Sequence, residues 1–167
     1  ANNGVSLTNM SMPTSGKWYA EITDINSSSG AFIGGIGDPS QLFSDFLGRT
    51  ATGWGYQTHA TNAGYWNSNS FSTTGAINAH GSNTILNVAV DRDNGYLWFG
   101  INGVYVNGGN PSAGIGYQFS NIPTTGDLKN FIMVFGSGFS DMRGVYERME
   151  VVIDGEIRNI TVYKKVG

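Results

Sequence analysis

Cysteine is absent from this 167-residue chain, which excludes a disulfide framework and any thiolate-held metal and leaves the redox compartment open. Charge is scarce as well. Asp, Glu, Lys and Arg make up 13% of the residues, about half the usual quarter of a globular chain. A formal net charge of −3 gives no cationic face to neutralise phosphates, so nucleic acid is not an expected partner. Five of the nine basic residues (Arg143, Arg148, Arg158, Lys164, Lys165) fall near the end, but Asp141, Glu147, Glu150, Asp154 and Glu156 are interspersed with them. No apolar run approaches the roughly 20 residues of a membrane-spanning helix, and none is expected to insert in a bilayer. No signal-peptide pattern opens the chain, and the first residue, Ala1, points to a processed product or a piece of something longer. No 3.6-residue apolar period of useful length appears, which argues against helices.

What is present favours strands and turns. Gly, Asn, Ser and Thr fill the place of the missing charges. Asn and Ser compete for backbone hydrogen bonds, and Gly loses most entropy in a helix. Tyr, Phe, Trp, Ile and Val supply strand formers. The length suits one domain with a proper core. The expectation is an all-β, two-sheet antiparallel sandwich with little or no helix. Residues 1–14 form an N-terminal strand or linker, and residues 15–167 a single domain.

Strand-like runs recur along the chain: residues 17–25 (KWYAEITDI), 31–36, 53–57, 64–66, 129–135, 148–153 and a closing run at 156–163. Residues 40–46, after Asp38-Pro39, read as one helical turn. The strongest signal spans residues 84–106. Ile85, Asn87, Ala89 and Asp91 alternate with Leu86, Val88 and Val90, the pattern of a strand with one face turned to the core. Asp93-Asn94-Gly95 makes a turn through positive φ, residues 96–101 (YLWFGI) return, and Asn102-Gly103 turns again into residues 104–106. Three strands so joined are a meander.

Between Thr50 and Val90 there is no Asp, Glu, Lys or Arg, while Trp54, Tyr56, His59, Tyr65, Trp66, Phe71 and His80 are interspersed. Neutral loops studded with aromatics commonly present rigid apolar area beside adaptable hydrogen-bonding groups. Trp18, Trp54, Trp98 and Phe99 lie on strand motifs and are expected in the core. Tyr56, Tyr65, Trp66 and Phe71 either pack the long neutral loop down or form a stacking platform. On the second reading the ligand-binding residues are Tyr56, Gln57, Asn62, Tyr65, Trp66, Asn67 and Asn69, whose amides can donate to and accept from sugar hydroxyls.

Ser15-Gly16-Lys17-Trp18-Tyr19-Ala20-Glu21-Ile22 resembles the opening strand of SPRY domains. Residues 31–37 resemble the short Ile-Gly strand that follows. Gly53-Trp54-Gly55-Tyr56 with Tyr65-Trp66 is similar to the family's Trp-Gly-aromatic strand and its return. Residues 86–91, then Gly95-Tyr96-Leu97-Trp98-Phe99 and Asn102-Gly103, resemble its best-marked hairpin. The likeness covers roughly residues 15–135. It implies a concanavalin A-like jelly-roll sandwich of SPRY type, acting as a non-enzymatic binding module that holds its ligand with loops along one rim. Residues 136–146 depart from the family as an insertion. The neutral, Asn/Ser/Thr-rich loops also differ from the charged loops of many peptide-binding members. They look more like bacteriophage or other viral tail and capsid-surface proteins.

Catalytic patterns fail on spacing. A glucan hydrolase needs two carboxylates flanking the bond, about 5 Å apart in the retaining case. Glu21 and Asp24 are three apart on a strand and face opposite ways, and Asp93 sits at a turn beyond Asp91. Asp91-Arg92-Asp93-Asn94-Gly95 begins like a calcium loop but lacks the terminal Glu, so it reads as turn chemistry. His59 and His80 have no neighbouring acid for a triad or a third metal ligand, and no G-x-S-x-G elbow occurs. Gly34-Gly35-Ile36-Gly37 lacks the following helix of a dinucleotide loop.

These readings lead to a non-catalytic recognition or surface module of a viral (phage) structural protein, a tail fibre or capsid decoration, on a virion surface or extracellular. No cofactor and no metal is expected. The expected partner is a host-surface glycan or protein, or another virion protein, and a homo-oligomer is compatible with the composition. The alternative is a SPRY adaptor binding a short peptide segment of a partner protein. A glycan-active hydrolase comes third.

Overall fold

The computed structural model describes residues 4–24, 32–39, 46–81, 83–134, 148–153 and 156–161. Among the described residues twelve strands follow in order: β1 (Gly4–Met12), β2 (Lys17–Asp24), β3 (Phe32–Gly37), β4 (Gly53–Thr58), β5 (Gly64–Asn67), β6 (Ser70–Ser72), β7 (Thr84–Asp91), β8 (Tyr96–Ile101), β9 (Val104–Tyr105), β10 (Leu128–Val134), β11 (Arg148–Ile153) and β12 (Glu156–Thr161). Among the described residues the only helical piece is a 3-10 turn at Val106–Gly108, which takes in Val106, expected as the last residue of a strand. Residues 40–45, expected as a helical turn, and the insertion at 136–146 lie outside the described residues.

Two antiparallel sheets make the sandwich. One runs β1-β10-β3-β4-β5-β6, the other β2-β7-β8-β9. Among the described residues β11 and β12 pair with each other and with neither large sheet, where the sequence suggested that β12 closes one, and β1 takes the outer place beside β10. Period-two alternation builds the core. Ile22 of β2, Leu86, Val88 and Val90 of β7, and Leu97, Phe99 and Ile101 of β8 share one face, and Ile36, Trp54 and Tyr56 of the larger sheet complete the same buried cluster. The Tyr56 and Phe99 rings lie 5.5 Å apart.

The meander forms through two different turns. Asn102 and Gly103 both take positive φ (50° and 82°), the two-residue loop that matches strand twist. In the turn from Asp91 to Tyr96, only Gly95 does so (φ 72°), and Asn94 is not among the positive-φ residues as expected. Asp91 holds that turn through its carboxylate, which accepts from the Asp93 and Asn94 N–H groups at 3.0 Å each and from the Asn94 amide at 2.9 Å. A third tight turn, at Ser68-Asn69, joins β5 to β6 with both residues at positive φ.

The outer faces are not bare. A Cβ at Gly35 would lie 2.1 Å from the Trp54 carbonyl oxygen, and one at Gly55 would lie 2.9 Å from that of Leu47. Gly35 and Gly55 are paired across β3 and β4, so the absence of side chains there lets the fully buried Leu47 seat on the sheet.

Candidate functional site

The neutral aromatic segment does not form one platform. Alternation along β4 and β5 sends Tyr56 and its cross-strand partner Tyr65 to the inner face, and Gln57 and Trp66 to the outer one. Tyr56 is fully buried, its hydroxyl donating to the Ile77 carbonyl at 2.9 Å and accepting from the Ile77 N–H at 2.8 Å. Burial pushes its phenol up to about 12. A ring so enclosed offers no face to a ligand, and Tyr56 is removed from the expected set. Tyr65 stands edge-on to Phe119 at 5.6 Å and donates to the Thr74 carbonyl at 3.3 Å.

Trp66 is half-buried, its ring 4.5 Å from that of Phe71 and edge-on to Phe46 at 4.9 Å. Its indole N–H donates to Gln57 Oε1 at 3.1 Å, and Gln57 Nε2 donates to the Asn62 carbonyl at 3.1 Å. Asn67 spends its amide on the Ala51 and Gly53 carbonyls at 3.3 and 2.9 Å. Asn69 sits in the tight β5–β6 turn, and Asn62 is exposed in the β4–β5 loop. Trp66, Gln57 and Asn67 pack the loop down on its own strands, while Asn62 and Asn69 stay exposed. His59 follows the same rule: its Nδ1 accepts from the Thr61 and Asn62 N–H groups at 3.2 and 3.0 Å.

A depression opens instead on the outer face of the four-stranded sheet, a site the sequence reading did not single out. Its volume is about 470 Å³, and Lys17, Tyr19, Ala89, Trp98, Tyr105, Pro111 and Ser112 line it. Register explains the assembly: Tyr19, Ala89 and Trp98 stand in one row across β2, β7 and β8. Trp98 alternates away from Phe99, onto the face opposite the inter-sheet core. The loop after β9 covers it. The Trp98 indole N–H donates to the Ile115 carbonyl at 2.8 Å, and Tyr117 lies edge-on to it and stacks on Tyr96 at 4.2 Å. Trp98, Trp54 and Phe99 are fully or almost fully buried; Trp18 is only half-buried.

Hydrogen bonds hold the walls. Lys17 Nζ donates to the Pro111 and Ser112 carbonyls at 2.9 and 3.0 Å and lies 3.9 Å from the buried Asp91 carboxylate. Burial works to raise the Asp91 pKa, but the Asn94 and Asp93 donors and the Lys17 charge outweigh it and hold it below the usual carboxylate value. Tyr19 donates to Glu21 Oε1 at 2.5 Å and accepts from Asn87 Nδ2 at 2.6 Å. Burial, then Glu21 as acceptor and charge, push the Tyr19 phenol well above its ordinary value, so it stays a donor. Burial and the Glu21 charge likewise raise Tyr105. The alternation of Lys17, Tyr19 and Glu21 against Trp18, Ala20 and Ile22 is the signal that could have found this face. Among the described residues no group of three or more His, Asp or Glu is placed to hold a metal.

These sheets define the class of the protein as an all-β, two-sheet antiparallel sandwich. No family model and no curated protein matches the chain. Among solved structures it is similar to the SPRY domain of human HERC1, with a TM-score of 0.59 and 18% identity over 83% of this chain and 78% of that one. The chain has the SPRY-domain fold.

Proposed function

We propose that this domain is a non-catalytic recognition module that seats a segment of a partner protein in the depression on the outer face of the four-stranded sheet. The observation that carries the reading is the aromatic lining of that depression beside exposed apolar side chains. Tyr19 and Tyr105 line it above the buried Trp98, and the loop after β9 exposes Ile115 (59%) and Tyr117 (40%). Rigid aromatic area ringed by exposed apolar groups is the surface that protein partners cover. The non-catalytic reading draws on the carboxylates of this face: among the described residues there, Asp91 is committed to its turn and to Lys17 and Glu21 is the other acid, where glycoside chemistry needs a working pair. A virion-surface or extracellular setting rests on composition, the scarcity of charge and the Gly, Asn and Thr richness, and makes the partner a host-surface or neighbouring virion protein.

Panning a random displayed-peptide library against the intact chain tests this. Enriched peptides are expected to lose about tenfold or more in affinity on Tyr105→Ala, with circular dichroism unchanged, and little on Trp66→Ala. Peptides indifferent to Tyr105→Ala, or a glycan array signal abolished by Trp66→Ala, would overturn the reading and return the site to the β4–β5 loop.

A further inference from the structure

We infer that the end of the seat marked by Tyr19 and Tyr105 takes a basic side chain, a lysine or arginine of the partner segment, with Glu21, which stands beside the lining and not in it, as its counter-charge. This deepens the recognition reading and rests on it. Register across β2, β7, β8 and β9 sets Glu21, Asn87, Gly100 and Tyr105 in one row. Gly100 carries no side chain, and the Tyr105 ring leans over it, so that a Cβ there would lie 3.2 Å from Tyr105 Cδ1. The phenol thereby reaches toward the strands that carry Asn87 and Glu21.

The hydrogen bonds in this row leave a surplus of acceptors. Asn87 is fully used: Nδ2 donates to the Tyr19 hydroxyl at 2.6 Å and to Glu21 Oε1 at 3.4 Å, and Oδ1 accepts from the Gly103 N–H at 2.7 Å. Glu21 Oε1 also accepts the hydrogen bond of the Tyr19 hydroxyl, so the carboxylate is held in place by one oxygen. Among the described residues no donor reaches Glu21 Oε2, and the Tyr105 hydroxyl makes no hydrogen bond. The nearest basic side chain on β2, Lys17, is held by two carbonyls and by Asp91.

One free carboxylate oxygen, one free phenol oxygen and the rings of Tyr19 and Tyr105 are the groups that hold a cation rich in N–H donors. An acidic segment would face Glu21 as a like charge. A wholly apolar one would strip water from the carboxylate and return no partner.

The test uses peptides enriched from the displayed library on the intact chain, measured by titration calorimetry. They are expected to carry a Lys or Arg whose replacement by Ala weakens binding about tenfold, a typical loss for a charged anchor. Glu21→Gln, which keeps an acceptor for Tyr19, is expected to cost a similar factor, and the two losses are expected to overlap in a double-mutant cycle. Added salt is expected to weaken the wild type more than the Glu21→Gln chain. Glu21→Ala serves as a second variant, and thermal melts check that each is folded. Peptides that need Tyr105 but bind Glu21→Gln and wild type equally, or that are acidic, would overturn the charge assignment and leave the seat standing. Peptides indifferent to both Tyr105 and Glu21, or no enrichment at all, would overturn both.

Discussion

Asp91 makes the turn between β7 and β8 sensitive to acid. Its carboxylate is buried, yet it accepts three hydrogen bonds from the turn it closes and lies near Lys17. Its folded pKa is depressed, so its contribution to stability is present above the unfolded value of about 3.9 and is lost as pH falls through the lower folded one. Urea unfolding across pH should show Asp91→Asn less stable than wild type by about 1–2 kcal/mol at neutral pH. The gap should narrow as the medium is acidified below about pH 4. Tyr56 shows the opposite use of a polar group at this scale. Its hydroxyl serves both the N–H and the C=O of Ile77, which lets a tyrosine sit among apolar neighbours in the core.

Strand β8 is covered on both faces, which gives it two jobs. Leu97, Phe99 and Ile101 fill the inter-sheet core, and Trp98 anchors the loop that walls the depression. Trp98→Ala is expected to cost about 3–5 kcal/mol in denaturant unfolding, because a large ring is removed and Ile115 loses its donor. Trp98→Phe should cost less in stability and still loosen the loop, seen as faster amide exchange over residues 109–117. The meander β7-β8-β9 was legible because Asn-Gly and Asp-Asn-Gly turns punctuate a period-two pattern. The β5–β6 hairpin was not, because Ser68 and Asn69 hold the positive-φ positions that Gly more often marks. The candidate platform is divided between two faces for a related reason: Tyr56-Gln57 and Tyr65-Trp66 are adjacent pairs, and adjacent strand residues face opposite ways.

The whole molecule depends on pairings between distant segments. β1 near the start of the chain pairs with β10, and β2 with β7. Deleting residues 1–12 is expected to leave β10 as an exposed edge in the larger sheet, with aggregation or a lowered melting temperature in size-exclusion and thermal assays. An unchanged monomer would count against β1 as a structural strand.

Composition and alternation by themselves determined an all-β chain, the limits of most strands and the hairpins of β7 to β9, because strand periodicity and turn chemistry are properties of neighbouring residues. Tertiary structure alone decided which face of each strand became a site. Whether Trp98 is covered, whether Tyr56 is sealed in, and whether Glu21 keeps an oxygen without a donor depend on which loop or sheet lies above them. Those partners come from segments far away in the chain, and local pattern does not encode which of them will arrive.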